Sequence, residues 1–389
     1  MTRRYSIAML AACPLPYPRG TPIRIHRLAN ALAQRGNDVH VIAYHLGLHD
    51  DDTQYHLHRI PNVPTYRKVT PGPTYQKLLV LDPLLALRSR GLMRRTPFDV
   101  VHAHHYEGLL AARVANVRGG LPIVFDVHTL LEAELPFYHL GLFPRAKRRL
   151  GRMLDKRLPT YADHVIAVTD TIRNKLLELG RLEPRDISVI GSGVDWEQFA
   201  LPREHSVDLR PGIKTAVFTG NLAAYQGIDL MLRAFARLAS IREDMRLRIV
   251  TESSFEPYDP LSKELRIADR VDVVHAPFSD VPGHLAASDV ALNPRVQCDG
   301  LPQKLLNYMA AAKPIVSFAG SAKLLVHEHN ALIVPDADIA AFAHAMNRLC
   351  DDPGLAQRLG DSARELVRTT LSWDAIAQMV ESTYAGLRA

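Results

Sequence analysis

The chain has 389 residues, 47% of them hydrophobic and 23% charged, with a formal net charge of +6. That length predicts two or three domains with full cores, and no apolar run approaches the roughly 20 residues that a membrane-spanning helix needs. The three cysteines, Cys13, Cys298 and Cys350, stand far apart. They form neither a disulfide framework nor a C-x-x-C metal or redox site, and the expected compartment is the cytoplasm.

Leu10-Ala11-Ala12-Cys13, after Arg3 and Arg4, imitates a lipoprotein cleavage box. The apolar stretch 7–12 is too short for a secretory apolar region and leads straight into a loop and an amphipathic helix. It reads as a buried first strand, and no export is expected. The helix over 25–35 places Ile25, Leu28, Ala29 and Leu32 at helical spacing, with Gly36 as its stop. Further short apolar runs at 39–43, 100–103, 123–125, 165–168 and 187–190 read as buried parallel strands. A polar, proline-bearing stretch at 201–212 separates them from a second series at 216–219, 247–251, 271–274, 290–293, 315–318 and 332–334. Helices at 229–240 and 305–312 alternate with that series. The last segment, from Ser372 to Tyr384, reads as an amphipathic helix capped by Ser372.

Two successive βαβ series predict an α/β protein of two Rossmann-like, doubly wound domains facing a central cleft. Ligands of such sheets bind beyond the carboxyl ends of the strands, so the cleft is the expected site.

The charge is uneven: residues 1–195 carry 27 Lys and Arg against 17 Asp and Glu. The excess peaks at Arg145, Lys147, Arg148, Arg149 and Arg152, followed by Lys156 and Arg157. Two readings stand side by side, a solvated helix face and a docking face for anionic membrane at the inner side of the bilayer. No zinc finger or RNA-binding motif accompanies the charge, and nucleic acid is not an expected partner.

A doubly wound fold raises the dinucleotide oxidoreductases, which need G-x-G-x-x-G at the first strand–helix turn. That turn here, Pro14 to Arg24, holds the single glycine Gly20. A P-loop lysine motif is absent as well. The segment from Asp299 to Ala310 is more informative. It follows the strand expected at 290–293, and Asp299 is placed to cap a helix whose first positions include Pro302. Leu301, Leu305 and Met309 then form a buried stripe, with Lys304, Asn307 and Tyr308 on another face. A helix N-terminus at a strand's carboxyl end suits a diphosphate. Lys304 adds a formal charge in the first turn, and Asn307 sits one turn deeper, in reach of a ribose diol.

With these residues the chain resembles glycosyltransferase family 4 over nearly its whole length. Members carry two glutamates eight positions apart, a G-L-P turn between them and a helix ending A-M-A-x-G-x-P-V-V. Here Asp299, Gly300, Leu301, Pro302 and Asn307 occupy that frame, followed by Met309-Ala310-Ala311-Ala312-Lys313-Pro314-Ile315-Val316. The family's G-R-x-x-x-x-K-G motif is similar to Gly220-Asn221 through Gln226-Gly227, so Asn221 and Gln226 stand where an arginine and a lysine neutralise the donor diphosphate. The resemblance implies that the charge has moved to Lys304, with Arg295 in reserve. Gly20-Thr21 stands at the family's Gly-Gly turn, where glycine lets backbone approach the donor. His128, after the strand at 123–125, matches a histidine that contacts the transferring sugar in the family. Without the resemblance it reads as an ordinary core or loop histidine.

The resemblance implies retaining transfer of a hexosyl group from a UDP- or GDP-sugar to a glycan or lipid-linked acceptor. His128, Asp299 and Lys304 are then the catalytic residues, with no metal or other cofactor. Residues 1–195 and 372–389 would form the acceptor-binding domain and 196–371 the donor-binding domain. Two other functions remain open, a nucleotide-sugar epimerase or hydrolase and a non-catalytic sugar-nucleotide-binding relative. His102 and His104 alternate onto one face of a strand, yet no acidic or cysteine partner is identifiable for a zinc site. Asp50-Asp51-Asp52 reads as an exposed acidic turn rather than a D-x-D metal motif.

Overall fold

The computed structural model describes residues 4–17, 20–48, 52–69, 74–117, 120–137, 143–200, 212–298 and 302–387. The chain divides into two compact units, one of Met1–Gly193 with Trp373–Ala389 and one of Val194–Ser372.

The first unit is built on seven strands: β1 (Ser6–Ala11), β2 (Asp38–Ala43), β3 (His56–Arg59), β4 (Val100–His104), β5 (Ile123–Val127), β6 (His164–Ala167) and β7 (Ile187–Val189). All pair in parallel, in the order β3-β2-β1-β4-β5-β6-β7. Alternation of side chains sends neighbouring residues into opposite cores. Leu10, Val101 and Phe125 pack with Leu85 and Leu109 on one face. On the other, Met9, Val41, Val124 and Ile166 pack against Leu28 and Leu32 of the helix Gly20–Gln34 and against Ile376 and Val380 of the helix Trp373–Gly386. That last helix is fastened by the Arg35 guanidinium, 2.6 Å from Asp374 and 3.0 Å from Glu381.

The second unit holds β8 (Lys214–Thr219), β9 (Met245–Val250), β10 (Val271–Val274), β11 (Val290–Asn293), β12 (Ile315–Phe318) and β13 (Leu332–Val334). These too are parallel, in the order β10-β9-β8-β11-β12-β13. The helix Ile228–Ala239 turns Met231, Leu232, Phe235 and Leu238 onto one face of the sheet. The helix Gln303–Ala310 covers the other with Leu305, Leu306 and Met309. In both sheets the strand order reverses beside the first strand, between β1 and β4 and between β8 and β11. A crevice for ligand opens beyond the carboxyl ends at such a reversal.

Three expectations need correction. The short strand β3 was not expected, because His56-Leu57-His58-Arg59 has no apolar run; as an edge strand it is only partly covered. β5 continues to Val127 and takes Asp126 into the sheet, fully buried. The helix expected to be capped by Asp299 begins at Gln303, with Pro302 at the N-cap and no side-chain cap. Beyond its first turn it has no open polar face: Tyr308 is fully buried and Asn307 is 4% exposed.

Candidate functional site

In the second unit the loops after β8 and β11 flank the strand-order reversal. Gly227, at φ +71°, opens the helix Ile228–Ala239. A Cβ there would fall 2.1 Å from the Pro294 carbonyl oxygen, so only glycine lets the first loop lie against the second. Gly220, at φ +124°, turns the chain out of β8.

This packing gathers four of the expected donor residues. Lys304 Nζ donates to Gln226 Oε1 at 2.7 Å and lies 4.0 Å from the centre of the Phe218 ring. Gln226 Nε2 donates in turn to Asn221 Oδ1 at 3.3 Å, which also accepts from the Ala223 amide at 3.2 Å. The Arg295 guanidinium lies 4.8 Å over the Tyr225 ring, and its Nε donates to the Gln297 carbonyl at 2.6 Å. The Tyr308 hydroxyl accepts from the Thr219 amide at 2.8 Å and locks the helix Gln303–Ala310 to the end of β8. Asp299, Gly300 and Leu301 lie outside the described residues.

The electrostatics centre on Lys304. Burial, and then the charge of Arg295, bring its pKa down to about 7. Its only described hydrogen-bond acceptor is a neutral amide, so the ammonium lacks a counter-charge among the described residues. An anion held between Lys304 and Arg295 would supply one and return the lysine to full protonation.

In the first unit the register pairs His104 with Asp126 at the carboxyl ends of β4 and β5. His102 and His104 do share a face, their rings stacked at 4.5 Å. The acidic partner not identified in the sequence is Asp126, 3.8 Å from His102 Nε2 and 3.6 Å from His104 Nδ1. These three could meet around a cation. However, Arg24 already donates to Asp126 Oδ2 from Nε at 3.2 Å and from Nη2 at 3.0 Å, which neutralises the carboxylate. The Arg24 fork also reaches the carbonyls of Ile190, at 2.9 Å, and Gly191.

His128 sits on this base. Its Nε2 is 3.2 Å from His104 Nδ1, and its ring lies 5.3 Å from that of His105. Burial keeps all four imidazoles neutral: the pKa values of His102 and His105 fall to about 4, and those of His104 and His128 fall well below the usual range. His128 is therefore an uncharged group with one nitrogen fixed by a neighbour. Gly20 and Thr21 form the first turn of the helix that carries Arg24. Sequence reasoning missed Arg24, His104 and Asp126 as a unit. Nothing in the sequence joins them: Arg24 stands just before the helix expected at 25–35, and Asp126 just after the strand expected at 123–125.

Residues 18–198 match the model of Glycosyltransferase Family 4, and residues 213–352 match that of Glycosyl transferases group 1. D-inositol 3-phosphate glycosyltransferase of Pseudarthrobacter chlorophenolicus is 25% identical, over 99% of this chain and 95% of its own. The protein of that name in Acidothermus cellulolyticus is 28% identical, over 92% and 84%. Sucrose-phosphate synthase of Thermosynechococcus elongatus superposes with a TM-score of 0.71 at 20% identity, over 99% of both chains. Anabaena HepE, solved in complex with UDP, does so with a TM-score of 0.70 at 16% identity, over 98% of this chain and 100% of its own. At such identities the superpositions show the shared fold. With the two matched models together spanning most of its length, the chain carries a Glycosyltransferase Family 4 domain followed by a Glycosyl transferases group 1 domain and has the GT-B fold.

Proposed function

We propose that the Val194–Ser372 unit binds a UDP- or GDP-sugar and that the hexosyl group passes, with retention, to a glycan or lipid-linked acceptor bound by the first unit. The observation that carries this reading is the gathering of Lys304, Gln226, Asn221 and Arg295 at the strand-order reversal of the second sheet. HepE has also been solved with UDP-glucose, and several relatives are named for transfer to an inositol phosphate.

In this reading the departing diphosphate gains negative charge as the anomeric bond breaks, and Lys304 and Arg295 stabilise it without a metal. Pro302 shapes the entry to the helix, and Asn307 lies one turn below. Gly20 and Thr21 bring backbone close to the donor, and the neutral His128 hydrogen-bonds the transferring sugar. Asp299 acts beside that sugar. Epimerase or hydrolase action would release products with no acceptor present, and a binding-only relative would show no turnover.

Proton linkage tests the assignment. A UDP-sugar keeps its phosphates ionised around neutral pH, so a change in its affinity there reports the protein. Free Lys304 loses its proton as pH rises through about 7, and every binding event above that value must restore it. UDP-glucose or a GDP-hexose should therefore bind with proton uptake. Affinity should fall by up to about tenfold per pH unit above neutrality. Titration calorimetry in buffers of different ionisation enthalpy measures both. Tight binding with no proton uptake and a flat pH profile would refute the contact, and a Lys304→Met variant should have the flat profile.

The inner face of the membrane is the proposed place of work. No described helix is long and apolar enough to cross a bilayer. The helix Pro144–Arg157 leaves Arg145, Arg148, Arg149, Arg152, Lys156 and Arg157 exposed, with Phe143 83% and Met153 50% exposed beside them. Lys147 is instead buried. Basic residues near an anionic surface contribute about 1 kcal/mol each, and the exposed apolar side chains can enter the headgroup layer. Co-sedimentation with phosphatidylglycerol vesicles should be strong at low salt and weak at high salt. Equal recovery with neutral phosphatidylcholine vesicles would leave only the solvated-face reading.

A further inference from the structure

We infer that Asp38, His40 and His56 form a binding site for a zinc-class divalent metal ion at the edge of the first sheet. β2 and β3 lie side by side in parallel, and their register sets His40 opposite His56 and Ile42 opposite His58. Alternation then brings Asp38 and His40 of β2 and His56 and His58 of β3 to the same face. Asp38 Oδ1 is 3.1 Å from His40 Nε2 and 3.6 Å from His56 Nε2. All three atoms lie within 4.8 Å of one another. Tetrahedral zinc with bonds of about 2.0–2.1 Å holds its ligands about 3.3 Å apart, so small rotamer shifts suffice.

The surroundings orient these ligands. His40 Nδ1 is 2.9 Å from His58 Nε2, and the two rings are nearly coplanar, edge to edge, with centroids 5.1 Å apart and 3° between their planes. The Phe98 ring, nearly perpendicular with its centroid 5.3 Å away, packs against the His40 ring from another side. In the tautomer in which His40 Nδ1–H donates to His58 Nε2, the His40 Nε2 lone pair is free for a metal. This is the outer-shell arrangement that metal-bound imidazoles require. The second oxygen of Asp38 accepts from the Ser6 hydroxyl at 3.2 Å. The His40 side chain is 13% exposed, whereas those of Asp38 and His56 are 50% and 67% exposed. One anchored ligand and two open ones leave a route in and a position for water.

Two imidazoles with one carboxylate select zinc, copper or nickel over magnesium and calcium, which prefer all-oxygen sets. Asp38 and His56 each begin their strand. The site thus lies toward the amino ends, opposite the end where His104 and Asp126 meet, and a metal there would tie the edge strand to its neighbour rather than act on a sugar.

The test is a Zn²⁺ titration of the untagged full chain, stripped with chelator, against a chromogenic zinc indicator. One ion per chain should bind saturably and raise the melting temperature. His56→Ala and Asp38→Asn, both at exposed positions and checked for folding by circular dichroism, should lose that binding. His58→Ala should weaken it by about 10–100-fold. No saturable binding by the wild type, or undiminished binding by folded His56→Ala, would overturn the assignment.

Discussion

Replacing Lys304 by alanine is expected to lower turnover by about 10²–10³-fold, the ~2.7–4 kcal/mol that a single donor to a developing oxyanion commonly supplies. Asn221 and Gln226 are neutral, so Lys304 and Arg295 are the cationic groups the second unit offers at its strand-order reversal. Gln226 holds the ammonium in place before substrate arrives, which removes reorganisation from the chemical step. The loss should appear in kcat as well as in KM, because Lys304 also holds the bound diphosphate and the charge on that group grows as the anomeric bond breaks. Steady-state kinetics with saturating UDP-glucose or GDP-hexose measures it. Near-normal kcat in folded protein would end the proposed role. In the wild type, chelator should remove any zinc from the edge of the first sheet and leave turnover largely intact. Abolition of turnover would instead assign the charge to a metal.

Asp126→Ala should destabilise the first unit by about 3–5 kcal/mol, the usual consequence of removing one partner from a buried ion pair. The reason lies with Arg24, whose side chain is 3% exposed and whose bonds to Asp126 Oδ2 are its contact with negative charge. Without the carboxylate, the guanidinium keeps the carbonyls of Ile190 and Gly191 but stays charged in a dry interior. His104 and His128 would also lose the fixed anion beneath them. Urea unfolding followed by fluorescence measures the loss. Affinity for free UDP serves as an internal control, because Lys304, Arg295, Gln226 and Asn221, proposed to hold its diphosphate, belong to the other unit. An unchanged unfolding midpoint would show that the pair adds nothing to the unit's stability.

The doubly wound architecture was legible because strands buried on both faces must be continuous apolar runs, as in residues 7–11 and 290–292. β3 escaped because half-covered edge strands need no such run, and with it went the pairing of His40 with His56. The Asp38-x-His40 and His56-x-His58 alternations are plain in the sequence, but without β3 nothing set them side by side. The Lys304–Gln226 contact spans 78 positions, and only the resemblance drew both residues toward one diphosphate. Arg24 and Asp126, 102 positions apart, had no such guide. Each looks alone like an ordinary surface charge, and only the packing of the helix Gly20–Gln34 on the first sheet removes both from water.

The return of the helix Trp373–Gly386 to the first unit bears on the order in which the chain can fold while it is being made. Ile376, Val380 and Tyr384 complete one of that unit's two cores, and the Tyr384 hydroxyl lies 2.6 Å from His102 Nδ1 beneath the histidine cluster. The second unit, by contrast, is one continuous stretch that ends at Ser372. Ribosomes add about 5–20 residues per second, so this stretch can close its core first, while one face of the earlier-made sheet has the helix Gly20–Gln34 but still lacks the rest of its cover. During that interval the apolar surface around Met9, Val124 and Ile166 stays open, and it is the part of the nascent chain most in need of a chaperone.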